Sequence, residues 1–463
     1  MIGTICRRIA STELPLLILV IPVLLFPRGP FPLAGLAVIL GIWLARWIGF
    51  RRITLATPLD LPMLLLLAMS LQALYPSTDL ALSLPKLYGI VVGVAVYYAV
   101  VNDVRDFRDW WIGSYALLMA AVGVAAVGLV GTSWITDKLP AGAEIYARLP
   151  RLIHSVQSSS GEISGIQPNE LGGTLAFLLP VPFALLLWGR GIRWVVGAAT
   201  LCLAAPVLVL TQSRSSLLAA AVVVVLLLGL RWWRIGYLML ATAVAGIAAG
   251  GLVGREVLYR WIIQADYVGD ATTKLANRQE IWGRTLYMIQ DFPFTGVGLN
   301  SFAKVLDGLY PSAFIGSVAE IPHAHNIYLQ TAVDLGLAGL MALLGVCLTT
   351  LWIAFRVYRR TDGPTRGAIA GLGAGLLAYM LFGMTDAITL GAKPLPLLWG
   401  IIGLIVAADR LNACGESETG EQGVRTMDGA AARTAVALYW AIAVLFALMA
   451  YLVVAMAIVG VVA

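Results

Sequence analysis

Apolar runs of about twenty residues recur along this chain, and they leave few folds open to it. A helix needs roughly 20 apolar residues to cross about 30 Å of hydrocarbon. Such runs lie near 13–27, 31–49, 59–75, 84–101, 110–131, 168–188, 192–210, 213–230, 234–253, 325–358, 366–386, 394–409 and 434–460. The first and twelfth are short, so about twelve or thirteen spans are expected. Lipid offers no partner to free backbone groups, and no run alternates like a barrel strand, so the spans are helices. Only 12% of residues are charged against 60% hydrophobic, which excludes a soluble globular enzyme. The fold class is an all-α polytopic membrane protein.

Basic residues give the direction. With Arg7 and Arg8 in the cytoplasm, inward segments collect Arg46, Arg51, Arg52, Arg105, Arg108, Arg190, Arg193, Arg231, Arg234, Arg356, Arg359, Arg360 and Arg410. The short outward turns keep only Arg28, Lys86, Arg214 and Lys393. The net charge of +6 is mostly this bias, and no nucleic-acid partner is expected. No small-residue cleavage site follows the first run, so it is expected to remain as an anchor. Cys6 and Cys414 face inward while Cys202 and Cys347 lie within helices, so no disulfide is expected. Three parts follow: 1–253, with nine helices and the outward loop 132–167; 254–324, an outward loop with amphipathic helices; and 325–463, the last helices with a flexible linker at 409–433.

Outward polar residues gather in the two long loops. Within 272–290, Leu275, Ile281, Trp282, Leu286 and Ile289 interleave with Lys274, Arg278 and Arg284, the pattern of an amphipathic helix on the membrane surface or of a cap over the bundle. Phe292-Pro293-Phe294-Thr295-Gly296-Val297-Gly298 follows; it has no Walker-type lysine and reads as backbone steering. Next come Ile321-Pro322-His323-Ala324-His325-Asn326, directly before a long apolar helix. His154 is the only other histidine. A neutral imidazole at this aqueous mouth is suited to general-base work; the alternative is a structural histidine bonded to loop backbone. Zinc is a poor alternative, because residues i and i+2 diverge on a helix and no third ligand is apparent. No metal and no cofactor are expected.

Arg214 sits in the tight outward turn Thr211-Gln212-Ser213-Arg214-Ser215-Ser216, where a charge either snorkels or meets an anion. Lys86, after Pro85, raises the same question. Lys86, Arg214, Arg278 and Arg284 together suit an outward pocket for a lipid-linked diphosphate, since guanidinium holds phosphate oxygens bidentately. One charge pair at 4 Å is worth about 4 kcal/mol at an effective dielectric near 20. Asp-x-Asp metal signatures are missing from the outward loops, which leaves the charge role to the cations.

Taken in order, Gln167-Pro168-Asn169-Glu170, Ser213-Arg214-Ser215, Arg278 with Trp282, Pro293 to Gly298, and His325-Asn326-Ile327-Tyr328-Leu329-Gln330 resemble the O-antigen ligase/polymerase superfamily. The resemblance covers roughly residues 160–345 at motif level. It implies a GT-C-type membrane glycosyltransferase fold with a helical periplasmic loop region, working at the periplasmic side of a Gram-negative inner membrane. It implies a glycan donor on undecaprenyl diphosphate and, in the ligase branch, a sugar hydroxyl of the lipid A–core oligosaccharide as acceptor, with membrane lipids around both. Arg214 and Arg278 match the family's essential arginines, and His325 its essential histidine. Arg284 and Lys86 are added as diphosphate ligands from position and charge. The expected reaction is a single inverting displacement without metal or ATP. An O-antigen polymerase and a protein O-oligosaccharyltransferase share these motifs. A transporter of lipid-linked glycans is the reading from another class, though the charges gather at one face and no inverted repeat is evident.

Overall fold

Helices follow the apolar runs because each backbone N–H and C=O is then satisfied within its own segment. In the computed structural model, residues 2–10, 12–27, 29, 31–132, 166–236, 238, 241–242, 271–311 and 321–419 are described. They form α1 (Ile2–Ala10), α2 (Glu13–Leu25), α3 (Phe31–Phe50), α4 (Asp60–Gln72), α5 (Leu80–Asp103), α6 (Phe107–Gly131), α7 (Pro168–Leu178) and α8 (Pro180–Trp188). There follow α9 (Ile192–Leu210), α10 (Arg214–Arg231), α11 (Ala271–Asp291), α12 (Phe302–Leu309), α13 (Ile327–Arg360), α14 (Gly363–Phe382) and α15 (Leu395–Thr419). Among the described residues nine stretches are long and apolar enough to cross a membrane: α3, α5, α6, α7 with α8, α9, α10, α13, α14 and α15. Helices α2 and α4 are shorter apolar elements. The chain is an all-α, multi-pass membrane protein. The span expected at 434–460, most of that at 234–253, and most of the loop 132–167 lie outside the described residues. Helix α15 runs on to Thr419, into the stretch read as a linker.

The centre is built from α5, α13, α14 and α15, where Tyr97, Val346, Leu372 and Ile405 join one buried cluster. Outer helices α3, α6, α9 and α10 turn Leu40, Met119, Leu203 and Leu218 outward, which is where lipid replaces protein as the apolar partner. Where α14 crosses α8 the backbones nearly touch: a Cβ on Gly371 would stand 2.7 Å from Val181 Cα. Small residues permit that approach in a membrane bundle.

The bundle has two chemically distinct ends. At one, Arg46 bonds Glu13 at 2.9 Å and lies 3.7 Å from Asp103. Arg356 pairs with Asp409 and Arg231 donates to Leu187 O at this end too. Arg46, Arg231 and Arg356 are among the residues expected on the inward side, and each has its partner at this end. The opposite end gathers residues 77–86, 169–172, 211–216, 299–301, 325–330 and 383–389.

Helix α13 is broken. Its 34 residues would reach about 50 Å at 1.5 Å per residue, well beyond the hydrocarbon thickness. Gly336 interrupts it with φ 72° and ψ 177°, a conformation open essentially to glycine alone. The segment 293–297 fills the break: Leu337 N donates to Pro293 O at 2.8 Å, and Val297 N to Val333 O at 2.8 Å. Gly296, at φ 64°, has no room for a Cβ, which would stand 2.6 Å from Val333 O. The glycines of this motif therefore shape the backbone, as their sequence context indicated.

Candidate active site

The residues His325 to Gln330 each have a structural task at the start of α13. Asn326 caps the helix, its Oδ1 accepting from Tyr328 N at 3.0 Å and Leu329 N at 3.1 Å. Its Nδ2 donates to Met384 O at 2.9 Å, and Ile327 N donates to Gly383 O at 2.7 Å. Tyr328 Oη donates to Met380 O at 2.9 Å. Gln330 reaches back to take Ala324 N at 2.7 Å and donates to Asp334 at 2.9 Å. These bonds clamp the approach to α13 onto the α14–α15 loop and leave His325 at φ 48°, a left-handed backbone that costs on the order of 1–3 kcal/mol.

That clamp brings His325 to Asp386. His325 Nδ1 and Asp386 Oδ1 are 3.1 Å apart; the carboxylate only accepts, so Nδ1 carries the proton and Nε2 presents a lone pair. The His325 side chain is 28% exposed and that of Asp386 4%, so the imidazole is reachable and its partner is not. Asp386 Oδ2 accepts from Asn169 Nδ2 at 2.8 Å, and Oδ1 also accepts from Ala387 N at 2.9 Å. Burial works against a charged Asp386, but the His325 hydrogen bond and the charges of His325 and His323 outweigh it and hold the carboxyl below its usual range. Neither Asp386 nor the role of Asn169 was read from sequence.

His323 stacks edge-on against His325 with ring centroids 4.4 Å apart and accepts the His325 backbone N–H at 3.2 Å. Burial above all, with the charges of His325, Lys86 and Arg278 and against that of Asp386, lowers the His323 imidazole to about 4. It is neutral at neutral pH. The expectation that the two histidines diverge on a helix, with no third ligand, is corrected: both precede α13, and Asp386 joins them. One ligand atom from each of His323, His325 and Asp386 lies within 4.8 Å of the others. A tetrahedral zinc with bonds near 2.1 Å needs its ligand atoms about 3.4 Å apart, and the polar atoms here already serve hydrogen bonds. The arrangement fits an oriented imidazole better than a metal cage.

The cations arrive from several helices. Arg278 and Trp282 share one face of α11. Trp282 Nε1 donates to Ala324 O at 2.9 Å, next to His325, and the charge of Arg278 acts on His323. Helix α11 buries Ile281, Trp282 and Met288 against Val297, Phe302 and Val333, so this face packs on protein. Arg214 opens α10 at the same end: Gly172 on α7 lies against the 211–216 turn, where a Cβ would stand 2.8 Å from Thr211 Oγ1 and Ser216 Oγ. One turn earlier on α7 is Asn169, bonded to Asp386. Lys86 instead turns into the protein, its ammonium on Thr389 Oγ1 and under the charges of Asp334 and Glu170. Arg284 lies about 120° around the helix from Arg278 at 3.6 residues per turn, with Glu280 3.8 Å away. His323, His325, Asp386 and Asn169 thus form one cluster; the charges of Lys86 and Arg278 both reach it through His323, with Lys86 behind it on Thr389, Arg214 flanks it, and Arg284 lies on another face of α11.

Residues 199–344 match a family model described as O-antigen ligase. This stretch belongs to the O-antigen ligase superfamily. It runs from within α9 to beyond the break in α13 and takes in Arg214, Arg278, the 293–298 turn and His325. None of the curated proteins compared with the chain matches it.

Proposed function

We propose that this O-antigen ligase family protein transfers an O-antigen glycan from undecaprenyl diphosphate to a sugar hydroxyl of the lipid A–core oligosaccharide. The reaction is placed at the periplasmic face of a Gram-negative inner membrane, on a GT-C-type scaffold, with 254–324 as the periplasmic region between two groups of membrane helices. The observation that carries the reading is the hydrogen bond between His325 Nδ1 and buried Asp386, beside the charge of Arg278. With Nδ1 occupied, Nε2 of His325 takes the proton of the acceptor hydroxyl. The freed oxygen attacks the anomeric carbon from the face opposite the diphosphate, the sugar–phosphate bond breaks, and the diphosphate departs as an anion. Arg278 and Arg214 hold that leaving group by charge and bidentate hydrogen bonds. Asp386 stabilises the imidazolium that forms, and Asn169 orients Asp386. Lys86, held by Thr389, supports the site from behind and is assigned no direct phosphate contact; Arg284 is left at its margin. The displacement inverts the anomeric centre and calls for neither ATP nor a divalent ion.

The test is acceptor choice. Purified protein receives lipid-linked donor together with rough lipopolysaccharide, a second molecule of donor, or a serine-rich peptide. Transfer to lipopolysaccharide alone is expected. Chain extension of the donor would make the protein a polymerase, and peptide glycosylation a protein O-oligosaccharyltransferase.

A further inference from the structure

At the end of the bundle opposite His325, a cleft of about 470 Å³ opens between the starts of α6 and α9, lined by Phe107, Arg108, Trp111, Ile112, Tyr115 and Arg193. Helix α5 runs from Lys86 at the candidate site to Asp103 at the far end, and α6 begins four residues later; α7 and α8 carry the chain from Asn169 to the start of α9. The cleft and the candidate site are thus separated by the thickness of the bundle.

Two guanidiniums line this cleft, and among the described residues neither forms an ion pair with a carboxylate. Arg193 lies 4.4 Å from the Trp111 ring centroid, and Trp111 in turn lies 5.7 Å from Tyr115. The nearby acids have other tasks: Asp106 caps α6 by accepting Asp109 N at 2.8 Å, and Asp109 accepts Arg105 N at 3.2 Å. Helix α9 starts at Gly191 with no side-chain cap and no acidic residue in its first turn. Its N-terminal amides therefore add positive potential instead of relieving it. Around the rim Ile112, Ile192 and Trp194 are exposed by 58%, 69% and 49%, an apolar and aromatic border of the kind found where head groups meet acyl chains.

We propose that this cleft binds the phosphate of an anionic phospholipid head group, with Arg108 and Arg193 on its oxygens, the aromatic rings as walls, and the acyl chains along the apolar border. A free phosphate ion would share the cationic contacts but gain nothing from the border, which is why a lipid is the chosen occupant. In the orientation proposed above the site lies in the cytoplasmic leaflet, remote from glycan transfer and independent of it.

Native mass spectrometry of the detergent-purified full chain tests this, with phosphatidylglycerol, phosphatidylcholine or inorganic phosphate titrated in. Phosphatidylglycerol is expected to be retained at least tenfold better than phosphatidylcholine. The double variant Arg108→Gln, Arg193→Gln is expected to lower its retention about thirtyfold, in keeping with about 1 kcal/mol for each of two basic residues at an anionic surface. Arg234→Gln, at the same end but outside the cleft, should leave retention unchanged and controls for net charge. Equal retention of the two lipids, equal retention by the double variant, or displacement of phosphatidylglycerol by millimolar inorganic phosphate would overturn the proposal.

Discussion

Replacing Asp386 by Asn changes one charge and almost no volume at the point on which the proposed chemistry turns. The carboxylate faces His325 Nδ1 at 3.1 Å and its side chain is 4% exposed. When His325 takes a proton, two unit charges at that separation attract by about 5 kcal/mol at an effective dielectric near 20. That is a ceiling, since the imidazolium is only partly formed in the transition state. A hydrogen bond to a charged group contributes about 1.5–3 kcal/mol, so Asp386→Asn should lower kcat by about tenfold to 150-fold. The amide has a second fault: turning its oxygen to His325 sets its NH2 against the NH2 of Asn169, so the imidazole loses orientation as well as charge. Asp386 is a positioning residue in this scheme, so KM for donor and acceptor should stay within about twofold. The assay is steady-state ligation by purified protein, with thermal melting in detergent to verify folding. A folded Asp386→Asn enzyme with kcat within threefold of the parent would refute the reasoning.

Asn169→Leu removes the donor to Asp386 Oδ2 and should lower kcat about fivefold, the worth of roughly 1 kcal/mol, with the melting temperature little changed; an unaltered kcat would detach Asn169 from the site. Incubation with excess EDTA should leave the ligation rate within twofold, whereas its loss, restored by zinc, would turn His323, His325 and Asp386 into metal ligands. Gly336→Ala forces a Cβ into a conformation that excludes one and against the Phe294 carbonyl, so the melting temperature should fall, by the equivalent of at least about 2 kcal/mol. Gly41→Ala, where nothing lies within 4 Å of the new Cβ, should be neutral or stabilising, and equal melting of the two variants would deny the break in α13 its structural role.

The spans were legible because their signal is local and repeated. Residues 192–210 were read to the residue, and 110–131 and 213–230 to within three, since apolar length alone fixes a transmembrane helix. The break at Gly336 was not legible: a single glycine in an apolar run looks like packing, and only the backbone of Pro293 and Phe294 arriving from another segment gives it a reason. His325 stood out as one of three histidines beside a helix start. Its partner did not, because Asp386 is far along the chain, and its hydrogen bond exists only after Asn326 and Ile327 have joined α13 to the 383–384 backbone. A hint was present: Asp386 is an acid at the outward end of an apolar run, where a charge is costly unless paired. The same tertiary contacts explain the corrected reading of His323 and His325, whose separation was judged on a helix that begins only at Ile327. Lys86 was read by its position and charge, and Thr389, Asp334 and Glu170, which surround it, come from other segments.

The central claim, that an Asp386-held imidazole draws the proton from the acceptor while arginines release the diphosphate, meets its most direct test in His325→Ala. Purified protein is given lipid-linked glycan and rough lipopolysaccharide, and glycan transfer is followed together with the appearance of free undecaprenyl diphosphate. The parent protein should produce the two in equal amounts, and His325→Ala should retain donor binding yet yield neither at a measurable rate. Ligation by His325→Ala at a rate near the parent's would contradict the account.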